Sequence, residues 1–199
     1  MLCSIISLIM VFVMAVPMTV SADTVRVAGD ATALANEIKA AQKVDTIKLT
    51  ASFAASITIP ADKNITLDLN GQTLTNEAGN HTITNEGTLT IKGDGTVDNV
   101  SHAKAAVYNK QGATATLSGG KFTRSKETGK SDSVSGGNSY YNILNQGEMT
   151  INSGVEVSQT GHFSSLIDNG WYNGSENTAK INAKLTINGG TFSGGLNTI

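Results

Sequence analysis

Two stretches hold the side chains best suited to grip a ligand. Gly170-Trp171-Tyr172-Asn173-Gly174-Ser175-Glu176-Asn177 carries the only tryptophan, and the Ser-, Gly- and Lys-rich stretch 123–141 ends in Asn138-Ser139-Tyr140-Tyr141. An exposed aromatic ring stacks on the apolar face of a sugar, while nearby amides and carboxylates hydrogen-bond its hydroxyls. Trp171, Tyr172, Tyr140 and Tyr141 are therefore the ligand-binding candidates, with a glycan or a host or cell-wall surface ligand as partner. The bland alternative is that these aromatics fold back and cover a long loop.

Catalysis has less to build on. Glycoside hydrolysis needs two carboxylates flanking one bond. Asp68 and Asp168 occupy comparable places in the repeat described below, but far apart along it and, by expectation, at different corners. His162 stands in Gly161-His162-Phe163 with no acid pair beside it. Asp94 and Asp98, in Lys92-Gly93-Asp94-Gly95-Thr96-Val97-Asp98, would share one face of a strand and could meet a calcium ion with backbone oxygens. Gly-Asp-Gly is more often a plain turn, and the glycine-rich nonapeptide calcium repeat is absent. No G-x-S-x-G nucleophile motif occurs. The reading is no catalytic residue, no metal ligand and no cofactor.

Composition narrows the classes further. The 199 residues are 15% charged, against roughly 25% in an average globular protein, with 21 glycines and 2 prolines. The net charge of −2 offers no basic footprint for nucleic acid. The sole cysteine is Cys3, which rules out a disulfide framework and a cysteine-ligated zinc site. Residues 1–22 carry no charge: Leu2 to Val16 is apolar, Pro17 breaks the run, and Val20-Ser21-Ala22 is a small-residue cleavage site. The run is shorter than the roughly 20 residues a membrane span needs. The expectation is a secretory signal peptide over 1–22, then a secreted or surface-exposed chain with no membrane segment. The usual positive n-region is missing, so the natural start is expected a few residues upstream.

The elements that must position these side chains read clearly. Thr24-Val25-Arg26-Val27 alternates as a strand. Asp30 is a good N-cap, and Ala31, Leu34, Ala35, Ile38 and Ala41 form one helical stripe. Everything after it has period 2. Five segments align: Thr66-Leu67-Asp68-Leu69-Asn70-Gly71, Thr88-Leu89-Thr90-Ile91-Lys92-Gly93, Thr114-Ala115-Thr116-Leu117-Ser118-Gly119, Glu148-Met149-Thr150-Ile151-Asn152-Ser153 and Lys184-Leu185-Thr186-Ile187-Asn188-Gly189. Each is followed by one more apolar residue: Leu74, Val97, Phe122, Val157 or Phe192. A further short strand ends in Asn85, Asn109, Asn145 or Asn169, spaced 24, 36 and 24 residues apart.

Three strands per repeat with variable insertions predict an all-β, single-stranded, right-handed parallel β-helix solenoid with a short N-terminal capping α-helix. The predicted layout is a signal peptide over 1–22, a strand-plus-helix cap over 23–45 and β-helix repeats over 46–199. The recurring asparagines are read as structural, tolerating a left-handed backbone and bonding along the stack. The rival antiparallel sandwich has no reason to repeat one residue at one corner.

The stretch from Asp30 through Thr46-Ile47-Lys48-Leu49, Asn64 to Gly71 and Gly87-Thr88-Leu89-Thr90-Ile91 resembles the N-terminal part of right-handed β-helix domains of the pectate-lyase-like class. These occur in secreted and surface proteins of Gram-positive bacteria. The resemblance implies a helix that plugs the first coil. For function it implies either a non-catalytic stalk, adhesin or carbohydrate-binding surface, or a polysaccharide lyase or glycoside hydrolase. A lyase would need a calcium carboxylate cluster and a basic residue, and Arg26 and Arg124 are the only arginines. Leu196-Asn197-Thr198-Ile199 reads as the start of another corner strand, so the chain is expected to be the N-terminal piece of a longer protein. Asn64, Asn80, Asn99 and Asn173 begin N-x-S/T sequons, relevant only in a glycosylating host.

Overall fold

The computed structural model describes residues 24–77, 79–125, 141–159, 165–173 and 178–194. The expected signal peptide over 1–22, Tyr140, His162 and the stretch 196–199 lie outside the described residues.

Alternating apolar and polar residues generate twenty strands among the described residues. Seven form one parallel sheet: β1 (Val25–Ala28), β2 (Lys43–Leu49), β5 (Asn64–Asp68), β8 (Thr88–Lys92), β11 (Thr114–Leu117), β14 (Glu148–Ile151) and β19 (Lys184–Ile187). A second holds β3 (Phe53–Ala54), β6 (Thr73–Thr75), β9 (Thr96–Asp98), β12 (Gly120–Thr123), β15 (Val155–Ser158) and β20 (Thr191–Ser193). A third holds β4 (Ile57–Ile59), β7 (Ile83–Asn85), β10 (Val107–Asn109), β13 (Tyr141–Asn145) and β16 (Ser165–Asn169). From β2 to β16 the chain deals its strands to the three sheets in strict rotation. One antiparallel pair, β17 (Trp171–Asn173) and β18 (Thr178–Ile181), interrupts the rotation before β19. The described residues are thus mostly β, in parallel sheets, with one helix among them, α1 (Ala31–Ala40).

From β8 onward the register follows the aligned segments residue by residue; the first segment is shifted by two, since Asn64 rather than Thr66 pairs with Thr88. Thr66, Thr90, Thr116, Thr150 and Thr186 pair in succession, as do Leu67, Ile91, Leu117, Ile151 and Ile187. Leu74, Val97, Phe122, Val157 and Phe192 form the matching column of the second sheet. Because strand side chains alternate, one face of every strand is apolar and buried. Residues of all three sheets, among them Leu67, Phe122 and Ile83, join one core cluster. Toward the last strands the apolar columns thin out: Leu185 and Phe192 are only partly buried and Ile187 is 39% exposed.

Asn85, Asn109, Asn145 and Asn169 pair in register at the end of the third sheet. Each side-chain amide donates to the next side-chain oxygen, at 2.8, 2.8 and 2.7 Å. The spare hydrogens of the first three reach the Thr114, Glu148 and Lys184 carbonyls. The bonding along the stack is as read from the sequence, but the left-handed backbone is not. The non-glycine residues with positive φ are Val44, Asn70 and Ala103 among the described residues. The ladder asparagines are strand residues, selected for an amide that both donates and accepts.

Helix α1 starts where Asp30 caps it, its carboxylate accepting from the Ala33 N–H at 2.8 Å. Leu34 and Ile38 are buried. The C-terminal carbonyls are met by a cation, the electrostatically favoured charge there. Lys63 donates to the Ala41 and Lys39 carbonyls at 2.6 and 3.2 Å. Arg26 ties the helix to the first sheet through Glu37 and the buried Asp45, each at 2.9 Å. In chain order α1 falls between β1 and β2, where strands of the second and third sheets would otherwise come.

Candidate functional site

The exposed aromatic is placed by the break in the strand rotation. On β16, Ile167 points to the core and Asp168 to the other face, in register with Leu144, Tyr108 and Thr84 of earlier rounds. Asn169 ends the amide ladder, and Gly170 donates its N–H to the Asn145 carbonyl at 2.7 Å. Gly170 has φ +96°, and a Cβ there would lie 2.7 Å from the Ile181 carbonyl oxygen. Glycine is required by both the backbone angle and the close approach. The chain turns there into the β17–β18 pair, with Trp171 opposite Ile181 and a bulge between Trp171 and Tyr172.

A cleft of about 380 Å³ results, lined by Asp168, Asn169, Gly170, Trp171, Ile181, Asn182 and Ala183. Trp171 is 55% exposed. Burial pushes the Asp168 carboxyl above the usual carboxylate range. No described side chain donates to it. An exposed indole beside a half-buried carboxylate and two amides suits a polyhydroxylated ring.

The other candidates fare differently. Tyr141 opens β13, paired with Ser165, four residues before the Asn145–Asn169 rung. At about 3.3 Å per residue this places its backbone roughly 13 Å along the strand from the ladder end where Trp171 begins. The two aromatic stretches therefore do not build one site through Tyr141. The backbone of Tyr172 pairs with Ala179. Its side chain, like all of Tyr140, lies outside the described residues.

Asp98 is buried and serves the fold: Thr123 Oγ1, Ser125 N–H and Ser125 Oγ all donate to its carboxylate. Asp94 sits exposed in the turn before β9. Asp68 accepts from the Asn70 N–H and stands on the first sheet, whereas Asp168 stands on the third. Arg26 is engaged by Glu37 and Asp45, which hold its guanidinium above its ordinary pKa. Arg124 is 1% exposed and donates to the Ser101 carbonyl at 2.7 Å. Neither arginine stands ready to take a proton from a substrate. Of the sequon asparagines, Asn99 is buried and donates to the Ala105 carbonyl and Thr82 Oγ1. Asn80 is exposed.

Sequence reasoning did not join Asp168 to Trp171, although only two residues separate them. The signal was Asp168 itself, an acid in a column that earlier holds Thr84, Tyr108 and Leu144. It also passed over His81, whose ring lies 5.0 Å from that of Tyr108 and whose Nδ1 accepts from the Ala105 N–H at 2.8 Å.

No protein-family model, no curated protein and no solved structure matches this chain.

Proposed function

We propose that the chain is a non-catalytic extracellular module of a bacterial secreted or surface protein, a β-helix stalk that presents a carbohydrate-binding cleft at Trp171. The strict rotation of strands through three in-register parallel sheets supports a single-stranded β-helix of the pectate-lyase-like class. Its right-handed sense follows the strong general preference of parallel crossovers. In this reading α1 caps the first coil, replacing two strands and shielding strand edges that would otherwise invite pairing. The uncharged apolar segment over 1–22 supports export.

The cleft is the observation that carries the binding reading. Trp171 is large, aromatic and over half exposed, yet it is set on a hairpin rather than a frayed end. A stalk alone gives no reason to hold it there. The test is titration of the mature chain with a panel of oligosaccharides, neutral, amino and uronic, with Trp171→Ala as control. Binding lost in the variant supports the reading. Release of reducing or unsaturated products from any of these would replace it with the lyase or hydrolase alternative.

A further inference from the structure

We infer that the Trp171 cleft selects a glycan bearing a protonated amine, an amino sugar with its nitrogen free, over neutral sugars and against uronates. This rests on the carbohydrate-binding reading and specifies its ligand.

Among the described residues the cleft has one formal charge on its walls, and it is negative. The described lining residues are Asp168, Asn169, Gly170, Trp171, Ile181, Asn182 and Ala183, with no lysine, arginine or histidine among them. Two lysines flank the lining stretch in sequence. Lys180 precedes Ile181 on β18, stands as the extra residue of the bulge opposite Trp171 and Tyr172, and is not among the described lining residues. Lys184 lies on β19 with its ammonium 3.7 Å from the Glu148 carboxylate. Burial is the cause that moves the Asp168 carboxyl, and it moves it upward. A neighbouring cation would have drawn it down.

A carboxylate stripped of part of its water and given no donor by the described side chains is unfavourable unless a ligand completes it. A ligand ammonium does so best, because a charge-assisted hydrogen bond in a partly dry site is stronger than a neutral one. A uronate would bring a second carboxylate to the same wall and be repelled. Trp171 supplies the stacking surface, and the indole face also attracts a cation. Asn169 and Asn182 offer amide groups for ring hydroxyls. The volume falls at the lower end of the roughly 300–1,000 Å³ of small-ligand clefts, suited to one or two rings rather than a long chain.

The experiment uses the mature chain and reads the fluorescence of its only tryptophan. The probes are glucosamine oligomers, their fully N-acetylated counterparts and galacturonate oligomers of equal length, at low and high salt. The expected order is glucosamine about tenfold tighter than the acetylated form, with galacturonate weakest. The advantage should shrink in salt. Asp168→Asn, which keeps size and shape, should abolish the advantage, so that free-amine and acetylated oligomers bind alike, with an unchanged thermal melt showing that the fold is intact. Equal affinity for free and acetylated amines, or tightest binding of galacturonate, overturns the inference and leaves the carbohydrate reading standing. Binding to none of the three overturns both.

Discussion

Asn109 donates its side-chain amide to the Asn145 oxygen at 2.8 Å across 36 residues of chain, the same distance at which Asn85 reaches Asn109 across 24. The twelve extra residues leave the rung unchanged. What fixes the rung is the buried amide pair and its strand neighbours, not the length of the connection, as the slow growth of loop entropy with length allows.

Asn109→Ala should therefore be costly. It removes donors to Asn145 and to the Glu148 carbonyl and leaves the Asn85 amide without its acceptor. The expected loss is about 2–4 kcal/mol in urea unfolding, since each buried polar group left unpaired costs about 1–3 kcal/mol. Asn109→Asp should also destabilise at neutral pH, because a carboxylate presents only acceptors to the Asn145 oxygen. A melt unchanged in both variants would show that the ladder is incidental.

Gly87 and Gly147 each follow a ladder asparagine by two residues and bond its side-chain oxygen through their N–H. A Cβ at Gly147 would sit 2.3 Å from the Ala113 oxygen, and one at Gly87 2.2 Å from the Pro60 oxygen. At Gly71, φ is +76° but nothing lies within 4 Å. Alanine at Gly147 or Gly87 should thus destabilise by more than 2 kcal/mol, and at Gly71 by about 1 kcal/mol. Equal costs at all three sites, read by thermal denaturation, would contradict the close-approach explanation.

Trp171→Ala should leave stability within about 0.5 kcal/mol of the parent, as surface changes usually do. Over half of this side chain is already in water. Phe122→Ala should instead cost about 3–5 kcal/mol, because Phe122 is fully buried between Val97 and Val157. Circular-dichroism melts separate the two. A large loss at Trp171 would mean that the indole holds the hairpin together rather than facing a ligand.

Stability should also fall on mild acidification. Burial, with the charges of Lys104 and Arg124, lowers the His81 pKa from 6.5 to about 4. The Ala105 N–H aimed at Nδ1 is compatible only with the neutral ring. The unfolded chain gains a proton near pH 6.5, while the folded one holds it off until about pH 4. The contribution is full above pH 6.5 and is lost progressively as pH drops toward 4. Urea titrations across that window should show the slope, and His81→Gln should flatten it. A variant with the parent's pH profile would assign the slope to other groups.

Much of the fold was legible because the strand period and the repeat agree. Thr90 and Thr116 align in sequence and pair in space, and so do Val97 and Phe122. Asp30 marked the helix start because a short side-chain acceptor there meets a free N–H. Less of the candidate site was legible. Trp171 was, as an aromatic in an insertion with no core periodicity. Asp168 was weighed only as an acid in a pair, since its proximity to Trp171 depends on Gly170 turning the chain. Asp98 was weighed as a cation ligand and set aside in favour of a turn; its actual role was hidden because sequence does not reveal that Thr123 and Ser125, one round later, donate to it.

The β17–β18 pair has a consequence for how such a protein could diversify. Asn169 closes one rung on Asn145, and Lys184 opens the next on Glu148. The stretch between them carries the cleft's indole and Asn182, yet its described strands join none of the three parallel sheets. It behaves as a cassette. Exchanging residues 171–182 would rewrite the stacking wall beside Asp168 while the ladder on either side keeps its register, so shape selection can change along one chain without disturbing the strands that fold it.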